Sequence, residues 1–184
     1  MYNQLVAITN RHLCSGDFLT KMEYLSKLGL KAIILREKDL PESEYQALAE
    51  QVFAICRRNG TDCILHSYVQ AARSIGCDSI HLPLPLLTEQ AQALQDFRQI
   101  GASCHSVEDA LLAQKLGATY ITASHIFPTG CKPGLAPRVL KFLEEVCRAV
   151  TIPVYALGGI SFDNAAATLH CGAAAACMMS GFMR

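Results

Sequence analysis

Five times in this chain an apolar helix ending runs into a glycine and then into a fresh apolar run: Leu28-Gly29-Leu30, Ile75-Gly76-Cys77, Ile100-Gly101-Ala102, Leu116-Gly117-Ala118 and Cys171-Gly172-Ala173. A glycine just past a helix closes it in a left-handed turn at little steric cost. Five such junctions in 184 residues predict a repeating unit of helix, tight turn and strand. Strands alternating with helices build a parallel sheet.

Short apolar runs supply eight candidate strands, at 5–9, 32–36, 63–66, 79–82, 102–105, 120–123, 154–157 and 174–179. Their apolar character is continuous rather than alternating, which suits parallel strands covered on both faces. Helices are expected near 18–28, 43–58, 68–75, 88–99, 107–116, 138–149 and 162–170. In the segment 138–149, Val139, Leu143 and Val146, with Val150 beyond, keep the helical period on one face. Ser106 followed three residues later by Asp109 resembles a capping box at a helix start. The pattern predicts one α/β domain over 1–184, a (β/α)8 TIM barrel. It would be a small one, since about 250 residues is typical. A doubly wound open sheet is the alternative. The sequence reaches Arg184 directly after the eighth strand, so the eighth helix is expected to be missing or reduced. A partner subunit or a long crossover helix is then expected to cover that strand, which makes a homodimer the expected assembly.

With 51% hydrophobic and 17% charged residues the chain is not a disordered one. Sixteen basic residues balance sixteen acidic ones, leaving no net charge to draw a nucleic acid or an acidic membrane. No run has the length of a membrane span and no basic, apolar leader opens the sequence, so a cytoplasmic protein is expected. The nine cysteines are odd in number and include no CxxC pair. Most lie in apolar runs, as Cys56, Cys63, Cys147 and Cys177 do, and read as buried reduced side chains. Cys131, in a polar loop beside Lys132, is the exception.

In such a barrel the ligand site is built from loops at the carboxyl ends of the strands. Those ends carry Arg36-Glu37-Lys38 after the second strand, His66-Ser67 after the third, His81 in the fourth and His105-Ser106 after the fifth. The sixth leads to His125, the seventh to Gly158-Gly159 and the eighth to Ser180-Gly181. The chemistry is expected in Ser124-His125-Ile126-Phe127-Pro128-Thr129-Gly130-Cys131-Lys132-Pro133-Gly134. There prolines and glycines would hold His125, Thr129 and Lys132 beside a small anionic ligand. An imidazole that titrates near neutrality either takes or gives a proton, which makes His125 the candidate acid–base group. Backbone amides at Gly158, Gly159, Ser180 and Gly181 fit a phosphate, because the loops after strands seven and eight commonly bind one in this fold. Arg36 and Lys38 add positive charge, and an arginine grips a carboxylate or phosphate through two bonds. The competing reading of that pair is a solvated charge cluster with Glu37 and Asp39. His81 and His105 read as histidines hydrogen-bonded within the barrel wall. No HxH or HExxH spacing and few acidic neighbours support a metal at these histidines, so no metal ligand is assigned.

Nearly all of the chain resembles the thiamine phosphate synthase/TenI superfamily. The resemblance is carried by Leu35-Arg36-Glu37-Lys38, Asp78-Ser79-Ile80-His81-Leu82, Gly101-Ala102-Ser103-Cys104-His105-Ser106, Ile126-Phe127-Pro128-Thr129-Gly130-Cys131-Lys132, Leu157-Gly158-Gly159-Ile160 and Met179-Ser180-Gly181. The synthases of this superfamily join a pyrimidine diphosphate to a thiazole phosphate with magnesium. Their acidic ligands come from an Asn-Asp pair after strand three and an Asp shortly after strand four. Here those places read His66-Ser67 and His81-Leu82-Pro83-Leu84-Pro85-Leu86, without a carboxylate for a hard cation. The TenI branch is similar to this chain in placing a histidine at Ser124-His125-Ile126-Phe127 and a Cys131-Lys132 pair after Pro128-Thr129-Gly130. The resemblance thus implies a thiazole tautomerase acting on a carboxythiazole phosphate in thiamine biosynthesis, with His125 moving the ring proton and no cofactor required. Arg36, Lys38 or Lys132 would recognise the carboxylate. A magnesium-dependent synthase and a non-catalytic ligand-binding paralogue are the alternatives.

Overall fold

Eight parallel strands hydrogen-bond to one another in chain order as a closed barrel: β1 (Leu5–Ile8), β2 (Ala32–Leu35), β3 (Asp62–His66), β4 (Ser79–Pro83), β5 (Gln99–Cys104), β6 (Tyr120–Ser124), β7 (Val154–Leu157) and β8 (Ala175–Met178). The computed structural model describes residues 2–128 and 139–184. This is the (β/α)8 arrangement that the repeating junctions predict; an open doubly wound sheet would reverse its strand order partway. Helices follow each strand: α1 (Phe18–Ser26), α2 (Glu42–Asn59), α3 (Val69–Ser74), α4 (Leu84–Gln90), α5 (Val107–Lys115), α6 (Val139–Ala149), α7 (Ala165–His170) and α8 (Ser180–Met183). By its internal contacts the chain forms two units, Met1–His81 with Met179–Arg184, and Leu82–Met178.

In the first unit the strands β1 and β2 are buried at every position. Helix α1 starts at Asp17, whose side chain accepts the Thr20 N–H at 2.7 Å. Helix α2 carries Glu42 and Glu44 in its first turn and Arg57 and Arg58 in its last, complementing the helix dipole at both ends. It closes on Gly60 at φ 71°, a helix-to-strand glycine that the apolar-ending pattern missed because Asn59 precedes it.

In the second unit two expectations shift. Helix α4 starts at Leu84, just after β4, and ends at Gln90, instead of spanning 88–99. Pro85 sits in its first turn, where a missing N–H costs nothing. The strand after it therefore starts early, and Gly101 lies inside β5, paired with Tyr120, rather than at a helix end. The glycines of the other four junctions, Gly29, Gly76, Gly117 and Gly172, do have positive φ. Along α6, Leu143 and Val146 are buried, with Val150 just past the end, but Val139 is exposed. Its φ of 57° takes it out of the helical stripe.

Helix α8 is a four-residue stub, the reduced eighth helix expected. The uncovered strand face does not follow: Ala175, Ala176, Cys177 and Met178 are each at most 1% exposed within the single chain. The reason for expecting a partner over β8 falls away. The eight described cysteines are free thiols. Burial pushes Cys104 up to about 12 and raises Cys177 as well, as inert apolar side chains should show. Among the described residues no helix is long and apolar enough to cross a membrane.

Candidate functional site

Within the Leu82–Met178 unit, three sequence candidates meet. His125 follows β6 directly and is buried, at 4% exposure. The β6–β7 ladder continues past both strands: Ile126 N–H donates to the Leu157 carbonyl and Phe127 N–H to the Gly158 carbonyl, each at 3.0 Å. These bonds lay the His125–Pro128 backbone on the Gly158-Gly159 turn. A Cβ at residue 158 would stand 2.3 Å from His125 Cβ, and one at 159 would stand 2.4 Å from the Pro128 carbonyl oxygen. Both glycines also have positive φ, 101° and 65°. On the Cβ side, then, the room these glycines leave is filled by the chain's own backbone rather than reserved for a ligand. Asn164 braces the turn from its other end, donating to the Gly159 carbonyl at 3.0 Å and accepting the Ser161 N–H at 2.9 Å.

His105 is the wall histidine expected. Its Nδ1 lies 3.0 Å from both the carbonyl and the hydroxyl oxygen of Ser124, the residue before His125. Ser106 accepts the Asp109 N–H at 3.0 Å, the half of the capping box that forms, while the Asp109 carboxylate reaches one residue further back, to the His105 backbone N–H at 2.7 Å, and ties the β5 end to α5.

Within the other unit a second polar cluster gathers at the carboxyl ends of β1 to β4. His66 and His81 are register partners, with ring centroids 5.6 Å apart and both residues buried. Burial first, then the charges of Lys38 and Arg36, drives the His81 imidazole down to about 3. The same causes, with His81 added, hold His66 well below its ordinary value. Both rings are therefore neutral at physiological pH, and Arg36 and Lys38 lie close enough to act on them. Ser67 Oγ lies 2.7 Å from His66 Nδ1. Tyr45, buried, donates to the Leu35 carbonyl at 2.7 Å and accepts the His66 N–H at 2.9 Å, joining the ends of β2 and β3.

Glu37 does not belong to the solvated cluster that was the competing reading of Arg36 and Lys38. Glu37 is turned inward at 2% exposure, and Arg11 takes both carboxylates, at 3.2 Å for Glu37 and 2.5 Å for the nearer Asp39 contact. Thr9, Arg11 and Tyr45 carry no motif in the sequence, and Glu37 reads there only as a member of the charge cluster. Thr9 stands at the carboxyl end of the first strand, the polar residue that ends the apolar run Leu5-Val6-Ala7-Ile8. Ser180 and Gly181 open α8 and are exposed; this stub packs on the turn Arg11–Leu13. Thr129, Cys131 and Lys132 lie outside the described residues.

The magnesium that a synthase would use was tested against these side chains. At the ends of β3 and β4 stand two buried neutral imidazoles and a serine, with two cations nearby. The carboxylates that follow β2, Glu37 and Asp39, are bound to Arg11. Among the described residues no group of three His, Cys, Asp or Glu is arranged to hold a metal ion. A hard cation wants several oxygen ligands, and the described residues do not fit it.

A family model described as thiamine monophosphate synthase (TMP-TENI) matches residues 5–182. A thiamine-phosphate synthase of Thioalkalivibrio sulfidiphilus is 34% identical over 90% of this chain and 80% of its own length. That of Caldanaerobacter subterraneus is 32% identical over 91% of this chain and 80% of its own. Among solved structures, thiamine phosphate pyrophosphorylase from Pyrococcus furiosus superposes with a TM-score of 0.84 at 27% identity, over 98% of this chain and 89% of that one.

Proposed function

Because the chain belongs to the thiamine monophosphate synthase family, we propose that it is an enzyme of thiamine biosynthesis, a thiazole tautomerase that aromatises a carboxythiazole phosphate with His125 as the acid–base group. The observation that carries this reading is the seating of His125 directly after β6, where the next two residues, Ile126 and Phe127, bond through their main chain to Leu157 and Gly158 and the His125 Cβ lies against Gly158 with no room for a side chain there. An acid–base catalyst must be held near the proton it moves, and a histidine whose Cα and Cβ are fixed in this way has its point of attachment set.

In the reaction one proton leaves a ring carbon beside a carboxylate and a C=N bond, and one proton is returned to the conjugated system. Composition is unchanged and aromaticity favours the product, so a group that cycles between base and acid suffices. Phosphate binding by the amides of Gly158, Gly159, Ser180 and Gly181 with Thr129, and carboxylate binding by Arg36, Lys38 or Lys132, complete the proposal; single substitutions test each. His125→Gln should lower isomerisation by about 10²- to 10⁴-fold, the usual worth of a positioned acid–base group, while the phosphorylated thiazole still binds. Full turnover in that variant would reject the role.

The names of the relatives favour a second reading. They are synthases and pyrophosphorylases, which points to condensation of a pyrimidine diphosphate with a thiazole phosphate rather than to isomerisation. Against it stands the donor set at His66, Ser67 and His81, which does not suit magnesium. Product formation from those two substrates, dependent on added magnesium and insensitive to His125→Gln, would establish the synthase.

A further inference from the structure

Glu37 sits between two exposed or half-exposed cations in Arg36-Glu37-Lys38, yet its side chain is only 1% exposed. A carboxylate taken out of water needs its oxygens satisfied, and here both are. Oε1 accepts the Thr9 hydroxyl at 2.6 Å, and the Arg11 N–H reaches Oε1 at 3.1 Å and Oε2 at 3.0 Å. The Arg11 guanidinium adds a bond to Oε2 at 3.2 Å. The Thr9 hydroxyl works in both directions, because its oxygen also accepts the Arg36 N–H at 2.9 Å. Just before this, the Leu35 carbonyl is held by Tyr45. Thr9 and Tyr45 thus hold, from both its polar ends, the one peptide group that enters Arg36, and Glu37, the residue after it, is fixed through its side chain. Arg11 meanwhile spans Glu37 and Asp39, taking up the two acids that would otherwise compete for a neighbouring arginine.

We propose that Thr9, Arg11 and Glu37 form a positioning lock that fixes the backbone of Arg36 and reserves its guanidinium for an anionic group of the substrate, a phosphate or a carboxylate. None of the three touches the substrate. The proposal rests on the reading of Arg36 as an anion contact but not on which reaction the enzyme performs. The charge of Arg36 also bears on the buried His66 and His81.

The test is a double-substitution cycle read by calorimetric titration of inorganic pyrophosphate into the full chain, with the melting temperature followed alongside. Arg36→Ala should weaken binding at least tenfold, the loss expected for a charge-assisted pair. Thr9→Val should weaken it about five- to tenfold, the size of one buried hydrogen bond. Thr9→Ser, which keeps the hydroxyl, should restore it. In the Arg36→Ala background Thr9→Val should have no further effect, since residues acting through one another are not additive. Losses that multiply, a Thr9→Val variant that binds normally, or an Arg36→Ala variant that binds normally would each overturn the lock. If Thr9→Val does not fold, Glu37→Gln takes its place in the cycle. Absence of isomerase activity with this coupling intact would count against the tautomerase alone.

Discussion

Gly158 and Gly159 are the residues at which the structure makes its sharpest demand. Alanine at 158 must place a methyl 2.3 Å from His125 Cβ at a φ of 101°, so either His125 or β7 has to move. A left-handed alanine costs about 1–2 kcal/mol and overpacking about 1–3 kcal/mol more. Gly158→Ala should therefore lose roughly 2–5 kcal/mol of stability in a denaturant titration, and should lose activity even where it stays folded. A variant of unchanged midpoint would show that the His125 segment is not pressed on this turn. In the sequence, a Gly-Gly pair after the seventh strand reads as space for a ligand. Whether a chain's own backbone or a bound phosphate fills that space depends on a loop 33 residues upstream, from His125 to Gly158, and local composition does not encode it. Glu37 was hidden for a similar reason. Between two cations it looks solvated, and only the Thr9 and Arg11 contacts, 28 and 26 residues away, bring it inside.

Among the elements, the strands were the most legible, because continuous apolar runs bounded by glycine leave few choices. Residues 154–157 form β7 as expected, and the others differ at their ends. Between Pro83 and Gly101 the helix starts at Leu84 instead of residue 88, and Pro85 is no obstacle because a proline is welcome in a first helical turn. Moving that helix forward released Gln99 and Ile100 to β5 and took Gly101 out of the junction pattern. The cap at Ser106 is readable because its two residues are only three apart. Ser106→Ala should cost about 1 kcal/mol, with Ser106→Asp recovering most of it, as measured by urea unfolding. An unchanged midpoint for Ser106→Ala would mean that the His105–Asp109 contact alone holds the start of α5.

For the molecule as a whole, the buried pair His66 and His81 sets a pH dependence. Both are held neutral in the fold, His81 with a value of about 3, while an unfolded histidine titrates near 6.5. Below that pH the unfolded chain binds protons that the native chain refuses, so the stabilisation present above 6.5 is lost as pH falls toward 3. Each histidine contributes a slope of at most about 1.4 kcal/mol per pH unit. Urea midpoints taken from pH 7 to 4 should fall steadily, and His81→Phe should flatten the curve; an equal slope in that variant would contradict the burial argument.

At the same scale, barrel and family follow from the repeating junctions and the strand-end residues, whereas the choice between two reactions depends on a few side chains at those ends. The most direct test is to incubate the purified protein with the non-aromatic carboxythiazole phosphate tautomer in the presence of a metal chelator and follow ring aromatisation by absorbance. The account predicts rapid aromatisation by the unaltered chain and a rate near background for His125→Gln. No acceleration by the unaltered chain, together with magnesium-dependent condensation of a pyrimidine diphosphate with the thiazole phosphate, would contradict it.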